Sequence, residues 1–121
     1  MKETPIKVAL VGCGQIADAH LQEIRKIAGA RLVAVCDRYI DLARQAAQRY
    51  EVPHAFDDLE RMIETAKPDV LHVTTPPQTH CAIALQALSA GVHVYVEKPF
   101  AIDAAEAQSM VDAAAAARRL V

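Results

Sequence analysis

One stretch constrains the fold of this chain more than any other: KVALVGCGQIADAHL, residues 7–21. Val8 to Val11 form a continuous apolar run with no polar alternation, the pattern of a strand buried on both faces. The run gives way at once to Gly12, Cys13 and Gly14, and Ala17 follows at the start of a helical pattern. This is G-x-G-x-x-A between a strand and a helix, the context in which that pattern has a mechanical meaning. A glycine at 12 permits a sharp turn, a glycine at 14 leaves the backbone open to a pyrophosphate, and a small residue at 17 lets helix and strand pack closely. The new helix offers unpaired N–H groups and a partial positive charge. Gly12, Cys13, Gly14, Gln15 and Ile16 are therefore read as a phosphate cradle. The plainer alternative is a glycine turn with no ligand.

The rest of the chain repeats the alternation. A helix is expected over 15–29 with Gly29 as its stop, then a buried strand over 31–36 and a helix over 41–50. VPHAF (52–56) reads as a short edge strand because Pro53 would damage a central one. Asp57 with Glu60 predicts a capping box for a helix over 57–66, followed by a strand over 69–75 and a helix over 79–91 ended by Gly91. HVYVE (93–97) is a fifth strand. Asp103 with Glu106 opens a helix running to about Ala117, and RLV reads as the start of a sixth strand. Alternating strands and helices imply parallel β-α-β units with right-handed crossovers. The expected architecture is a doubly wound parallel sheet of the Rossmann type, in strand order 3-2-1-4-5 with a truncated sixth strand.

Composition excludes several classes. Hydrophobic residues make up 53% of the chain and charged ones 23%, which describes a globular rather than a disordered chain. The net charge is -2, with no basic stripe alternating with aromatics, so nucleic acid is not expected as a partner. No apolar run approaches the ~20 residues of a membrane span, and the first residues lack a signal-peptide hydrophobic stretch. A cytoplasmic chain is the expectation. Cys13, Cys36 and Cys81 are odd in number and far apart, which suits small buried hydrophobes better than a disulfide framework. Neither they nor the five histidines show metal-ligand spacing, and no metal is expected.

The polar punctuation falls where strands end. Strand one delivers GCGQIA, strand two Asp37 and Arg38, strand four TTPPQTH and strand five Glu97, Lys98 and Pro99. In an open parallel sheet all of these share the carboxyl edge, where ligands bind at the switch in strand order. Asp37, 20 residues after Ala17, is placed to accept hydrogen bonds from ribose hydroxyls, and its charge would repel a 2′-phosphate. NAD is therefore expected over NADP. Arg38 complicates this, since it can pair with a 2′-phosphate or stack on adenine. The alternative for Asp37 is a helix N-cap, less attractive because Asp41 is itself a good one. Thr74, Thr75 and Pro76 are expected to line the cofactor opposite the glycines. His80 is a candidate for the same contact and equally for a plain helix-entry role.

VGCGQIADAHL, VCDRYIDLARQAAQRY, VTTPPQTH, AGVHVYVEKPFAID and the closing helix together resemble the N-terminal half of the Gfo/Idh/MocA oxidoreductases, the family named after glucose–fructose oxidoreductase and inositol dehydrogenase. The resemblance covers essentially the whole chain, and the E-K-P tripeptide is its most specific element. It implies a Rossmann domain for NAD or NADP followed by a larger substrate domain, and hydride transfer between the nicotinamide and a hydroxyl or carbonyl carbon of a sugar, polyol or related compound. It makes Lys98 the catalytic lysine, reaching the reacting oxygen and the nicotinamide ribose, and turns Glu97 toward the ribose side of the cofactor. Lys98–Pro99 is a candidate cis peptide.

The family's acid–base histidine and its aspartate partner sit in that second domain, and no residue here replaces them. Residues 1–121 are accordingly expected to be one dinucleotide-binding domain, a truncation or excised domain that binds cofactor without efficient dehydrogenation. The longer enzyme is expected to be an oligomer, and the fragment to leave a strand edge open. Two other readings stand beside this one. A non-catalytic NAD-sensing module would not need a charge at the position of Lys98. A methyltransferase would use a similar glycine loop but gives E-K-P no role.

Overall fold

The computed structural model describes residues 4–121; Met1–Glu3, which fall within the domain range expected from the sequence, lie outside the described residues. The elements follow the order β1 (Ile6–Val11), α1 (Gln15–Arg25), β2 (Ala30–Cys36), α2 (Ile40–Tyr50), β3 (His54–Phe56), α3 (Leu59–Ala66), β4 (Val70–Val73), a 3-10 turn (Pro77–Thr79), α4 (His80–Ser89), β5 (His93–Val96) and α5 (Ala104–Ala117). The five strands form one parallel sheet in the order β3-β2-β1-β4-β5. This is the doubly wound arrangement that the alternating pattern predicts.

Register is what builds the site. Val11 pairs with Cys36 on one side and Val73 on the other, Cys36 pairs with Phe56, and Val73 pairs with Val96. All five strands therefore end level, and the loops that leave β1, β2, β4 and β5 emerge side by side. One extra residue, Val33, is taken up where the β1–β2 register shifts between Val8 and Ala9.

The period of two along each strand divides the core. Leu10 and Val35 face α1 and α2, where Ala17, Leu21, Ala43 and Ala46 are buried against them. Ala9, Val11, Leu71, Val73 and Val94 face the opposite layer, with Met62 of α3, Leu88 of α4 and Met110 of α5. Alanine at 17, 43 and 46 lets the helices lie close to the sheet. Each fully buried leucine contributes roughly 1.5–3 kcal/mol relative to exposure. The three cysteines are free and buried, as small hydrophobes.

Several boundaries differ from the sequence expectation, each for a local reason. Helix α1 ends at Arg25, four residues before Gly29. Lys26 and Ile27 make tight i→i−3 bonds, and Gly29 at φ +86° turns the chain into β2 instead of stopping the helix. Helix α2 starts at Ile40 with Tyr39 at the cap position, so Asp41 lies in its first turn and is not the cap. In α3 the capping carboxylate belongs to Asp58, which accepts from the Glu60 N–H at 3.0 Å; Asp57 lies outside the helix. Residues 118–121 form no sixth strand. Arg118 takes a left-handed conformation, and only Leu120 meets β5, accepting from the Val94 N–H at 2.9 Å. Among the described residues no helix is long and apolar enough to cross a membrane.

Candidate functional site

Gly12 is required by geometry. Its φ is +97°, and a Cβ there would stand 2.7 Å from the backbone of Thr74 and Thr75. The β1 exit thus presses directly on the β4 exit. Thr74 closes the join: its hydroxyl lies 2.7 Å from the Gly12 carbonyl and 3.1 Å from that of Val11, and its N–H donates to the Val11 carbonyl. Thr74 is buried, so its side chain serves the loop junction.

Gly14 is a different case. Its φ of -81° suits any residue, and a Cβ would meet nothing within 4 Å. Neither strain nor crowding inside the protein calls for glycine. The space it leaves opens into the cleft, as a closely approaching ligand requires. Gly14 is also the cap residue of α1, and no side chain caps that helix. The first-turn N–H groups of Gln15 and Ile16, both residues that line the cleft, therefore have no side-chain acceptor at the positive end of the helix.

Asp37 sits at the end of β2 with only 8% of its surface exposed. Oδ2 accepts from the Cys13 N–H at 2.8 Å and Oδ1 from the Tyr39 N–H at 2.8 Å. The carboxylate staples the glycine loop to the β2 exit, each oxygen retains a further lone pair, and the residue lines the cleft. Burial first, and Asp37 second, push the Cys13 and Cys36 thiols up to about 12. Both stay neutral, and Cys13 contributes a backbone N–H rather than a reactive sulfur. Arg38 lies 4.9 Å from the ring centre of Tyr39, at the rim.

These pieces surround one cleft of about 710 Å³. Gly12, Gly14, Gln15, Ile16, Asp37 and Arg38 line one side; Thr74, Thr75 and Pro76 line the other. The sequence reading did not single out Tyr39, Leu42, Leu59, Thr79 and Ile83, which also line it. Leu42, Leu59 and Ile83 are apolar positions on helix faces. Their spacing shows a helical face but not that the face turns to a cleft.

Glu97 and Lys98 stand beyond that cleft, on the loop after β5. The Glu97 N–H donates to the Val73 carbonyl, which continues the β4–β5 ladder by one residue. Its carboxylate turns to α1, where Oε2 meets His20 Nε2, and not to the cleft. Lys98 is exposed and precedes a cis peptide bond to Pro99. His80 ties this loop to the cleft: Nε2 lies 2.8 Å from the Thr75 carbonyl and Nδ1 2.8 Å from the Pro99 carbonyl. With 1% exposure and both ring nitrogens on backbone carbonyls, His80 holds two loops together and is not among the residues that line this cleft. Among the described residues no group of three histidine, cysteine, aspartate or glutamate side chains is arranged to hold a metal ion.

A five-stranded parallel sheet with a glycine loop, an uncapped helix start and a buried acid at its switch point defines a dinucleotide-binding Rossmann domain. A model of the Gfo/Idh/MocA family, described as "Oxidoreductase family, NAD-binding Rossmann fold", matches residues 6–121, and the chain belongs to that family. It is 38% identical over 115 residues to D-glucoside 3-dehydrogenase of Escherichia coli, covering 94% of this chain and 33% of that protein. It is 37% identical over 123 residues to inositol 2-dehydrogenase 4 of Saccharopolyspora erythraea, covering 100% of this chain and 36% of that one. Among solved structures, the WlbA dehydrogenase of Chromobacterium violaceum, in complex with NADH and UDP-GlcNAcA, superposes with a TM-score of 0.92 at 32% identity, over 98% of this chain and 34% of that one. The chain spans about a third of the length of these relatives.

Proposed function

We propose that this chain is the cofactor-binding part of an NAD-dependent dehydrogenase acting on a sugar, polyol or related compound. The observation that carries the reading is the meeting, on one sheet edge, of the uncapped α1 start, the buried Asp37 carboxylate and the Lys98 loop. The relatives' activities as glucoside and inositol dehydrogenases support the substrate class, and a second domain is proposed to hold the substrate.

The residues fit the cofactor. The Gln15 and Ile16 N–H groups bind the pyrophosphate, and the space at Gly14 admits it. Asp37 accepts from the adenosine ribose hydroxyls through its remaining lone pairs and disfavours a 2′-phosphate, so NAD is preferred to NADP. Thr75 and Pro76 orient the dinucleotide from the opposite wall, while Thr74 and His80 keep that wall in place. Bound NAD supplies a hydride acceptor or donor. Lys98 donates a hydrogen bond to the substrate oxygen and stabilises negative charge developing on it. The proposed setting is the cytoplasm, which suits three free thiols.

Calorimetric titration with NAD+ and NADP+ tests the binding half, and tighter NADP+ binding would overturn the preference. In the protein that joins this chain to a substrate domain, Lys98→Ala should lower kcat by about 100-fold or more while sparing the Kd for NAD+. Unchanged turnover would remove Lys98 from the reaction.

A further inference from the structure

A second polar cluster lies on the α1 face of the sheet, away from the cleft. His20 of α1, His72 of β4 and Glu97 after β5 are 52 and 77 residues from one another along the chain, counted from His20, yet form one hydrogen-bonded row. His20 Nε2 lies 2.5 Å from Glu97 Oε2, and His20 Nδ1 lies 3.0 Å from His72 Nδ1. His72 is stacked on the Tyr95 ring, with centroids 4.8 Å apart. The other carboxylate oxygen of Glu97 accepts from the Lys98 N–H at 3.1 Å. The His20 side chain is 10% exposed and that of Glu97 25%.

We infer that His20 is a positioning residue for Lys98, acting through Glu97, with His72 completing the hydrogen bonds of the His20 ring. The role of Lys98 itself rests on the function proposed above; the row of hydrogen bonds does not. A carboxylate only accepts, so the hydrogen on His20 Nε2 is assigned by its partner. Across the Nδ1–Nδ1 contact one ring must donate and the other accept. A neutral His72 can do either, so the row stays satisfied whether His20 is neutral or charged. Burial first, and His20 second, hold His72 down at about 4, so it remains neutral near pH 7. The hydrogen bond from His20 is the first cause holding Glu97 below the ordinary carboxylate range. The groups meeting the His20 ring are His72 and Tyr95 from the sheet and Glu97 from the loop. The result is a carboxylate anchored from behind, which fixes the main chain at the residue whose ammonium must be aimed.

The test uses the isotopically labelled chain. In His20→Leu the Glu97 carboxyl should titrate at higher pH, read from its 13C resonance, and the Lys98 amide should exchange with solvent about 3- to 10-fold faster. His20→Gln, with an amide donor at the place of Nε2, should restore both, which a space-filling role would not do. Unchanged values in His20→Leu, or no difference between the two variants, would overturn the assignment. If His20→Leu does not fold, Glu97→Gln carries the test: the His20 Nε2 proton should move upfield, and an unmoved signal overturns the assignment. NAD+ titration of the wild-type chain is read separately. Its failure would remove the cofactor reading and leave the His20–Glu97 result standing.

Discussion

Two helices of this protein begin in opposite ways. Helix α5 starts with Asp103, whose carboxylate accepts from the Glu106 N–H at 2.8 Å, and Glu106 reaches back to the Ile102 N–H at 3.4 Å. One of its orphan first-turn donors is thus satisfied from within. Helix α1 starts with Gly14 and has no side-chain cap, although a carboxylate would be accommodated there at φ -81°. A side chain closes one orphan N–H group in α5 and none in α1. The difference leaves the start of α1, which lines the cleft, without the side-chain acceptor that α5 carries.

The largest break in this comparison should come from Gly12→Ala. With a positive φ and backbone atoms 2.7 Å away, the methyl group cannot be accommodated without moving the β4 exit. Denaturant titration should show a loss of about 3 kcal/mol or more, and NAD+ binding should disappear with it. Gly14→Asp sharpens the contrast. It gives α1 the cap that α5 has, so folding stability should hold or rise by a few tenths of a kcal/mol. The carboxylate would occupy the phosphate position, and NAD+ affinity should fall about 100-fold. A variant that kept its affinity would show that α1 does not bind the pyrophosphate.

Asp103→Ala should do the reverse. It should cost about 1 kcal/mol of stability and leave the Kd for NAD+ unchanged, by paired denaturation and calorimetry. The effect that vanishes above pH 6.5 comes last, and it appears only in acid. His72 is held at about 4 against an ordinary 6.5, so the unfolded chain binds the proton first. Its neutral form therefore contributes stability above pH 6.5 that is lost as pH falls toward 4. Glu97, whose affinity for protons is lowered in the fold, adds a loss of the same sign at lower pH. His72→Phe should flatten the decline between pH 6.5 and 4, as followed by thermal melts; an unchanged slope would refute the assignment.

Local chemistry made much of the site legible in the sequence. A positive-φ glycine, a cleft-facing glycine and an acid closing a buried strand are each dictated by their neighbours in the chain. Asp58 in place of Asp57, and Tyr39 in place of Asp41, show where such reading slips. Adjacent candidates compete for one cap, and the start of the helix is set by packing against the sheet. His80 could be read two ways from sequence because its partners, Thr75 and Pro99, are carbonyl oxygens that carry no sequence signature.

The alternation of apolar runs and helical stripes determined the parallel sheet and the edge on which the functional loops gather. These follow from the period of side-chain burial and from the handedness of the crossovers, both written locally. Tertiary structure alone decided which way the Glu97 carboxylate turns and which histidines stand behind it. That choice depends on the level registration of β4 and β5 and on the rotation of α1 above them. No residue encodes either one alone; both follow from filling the space between the helix and the sheet.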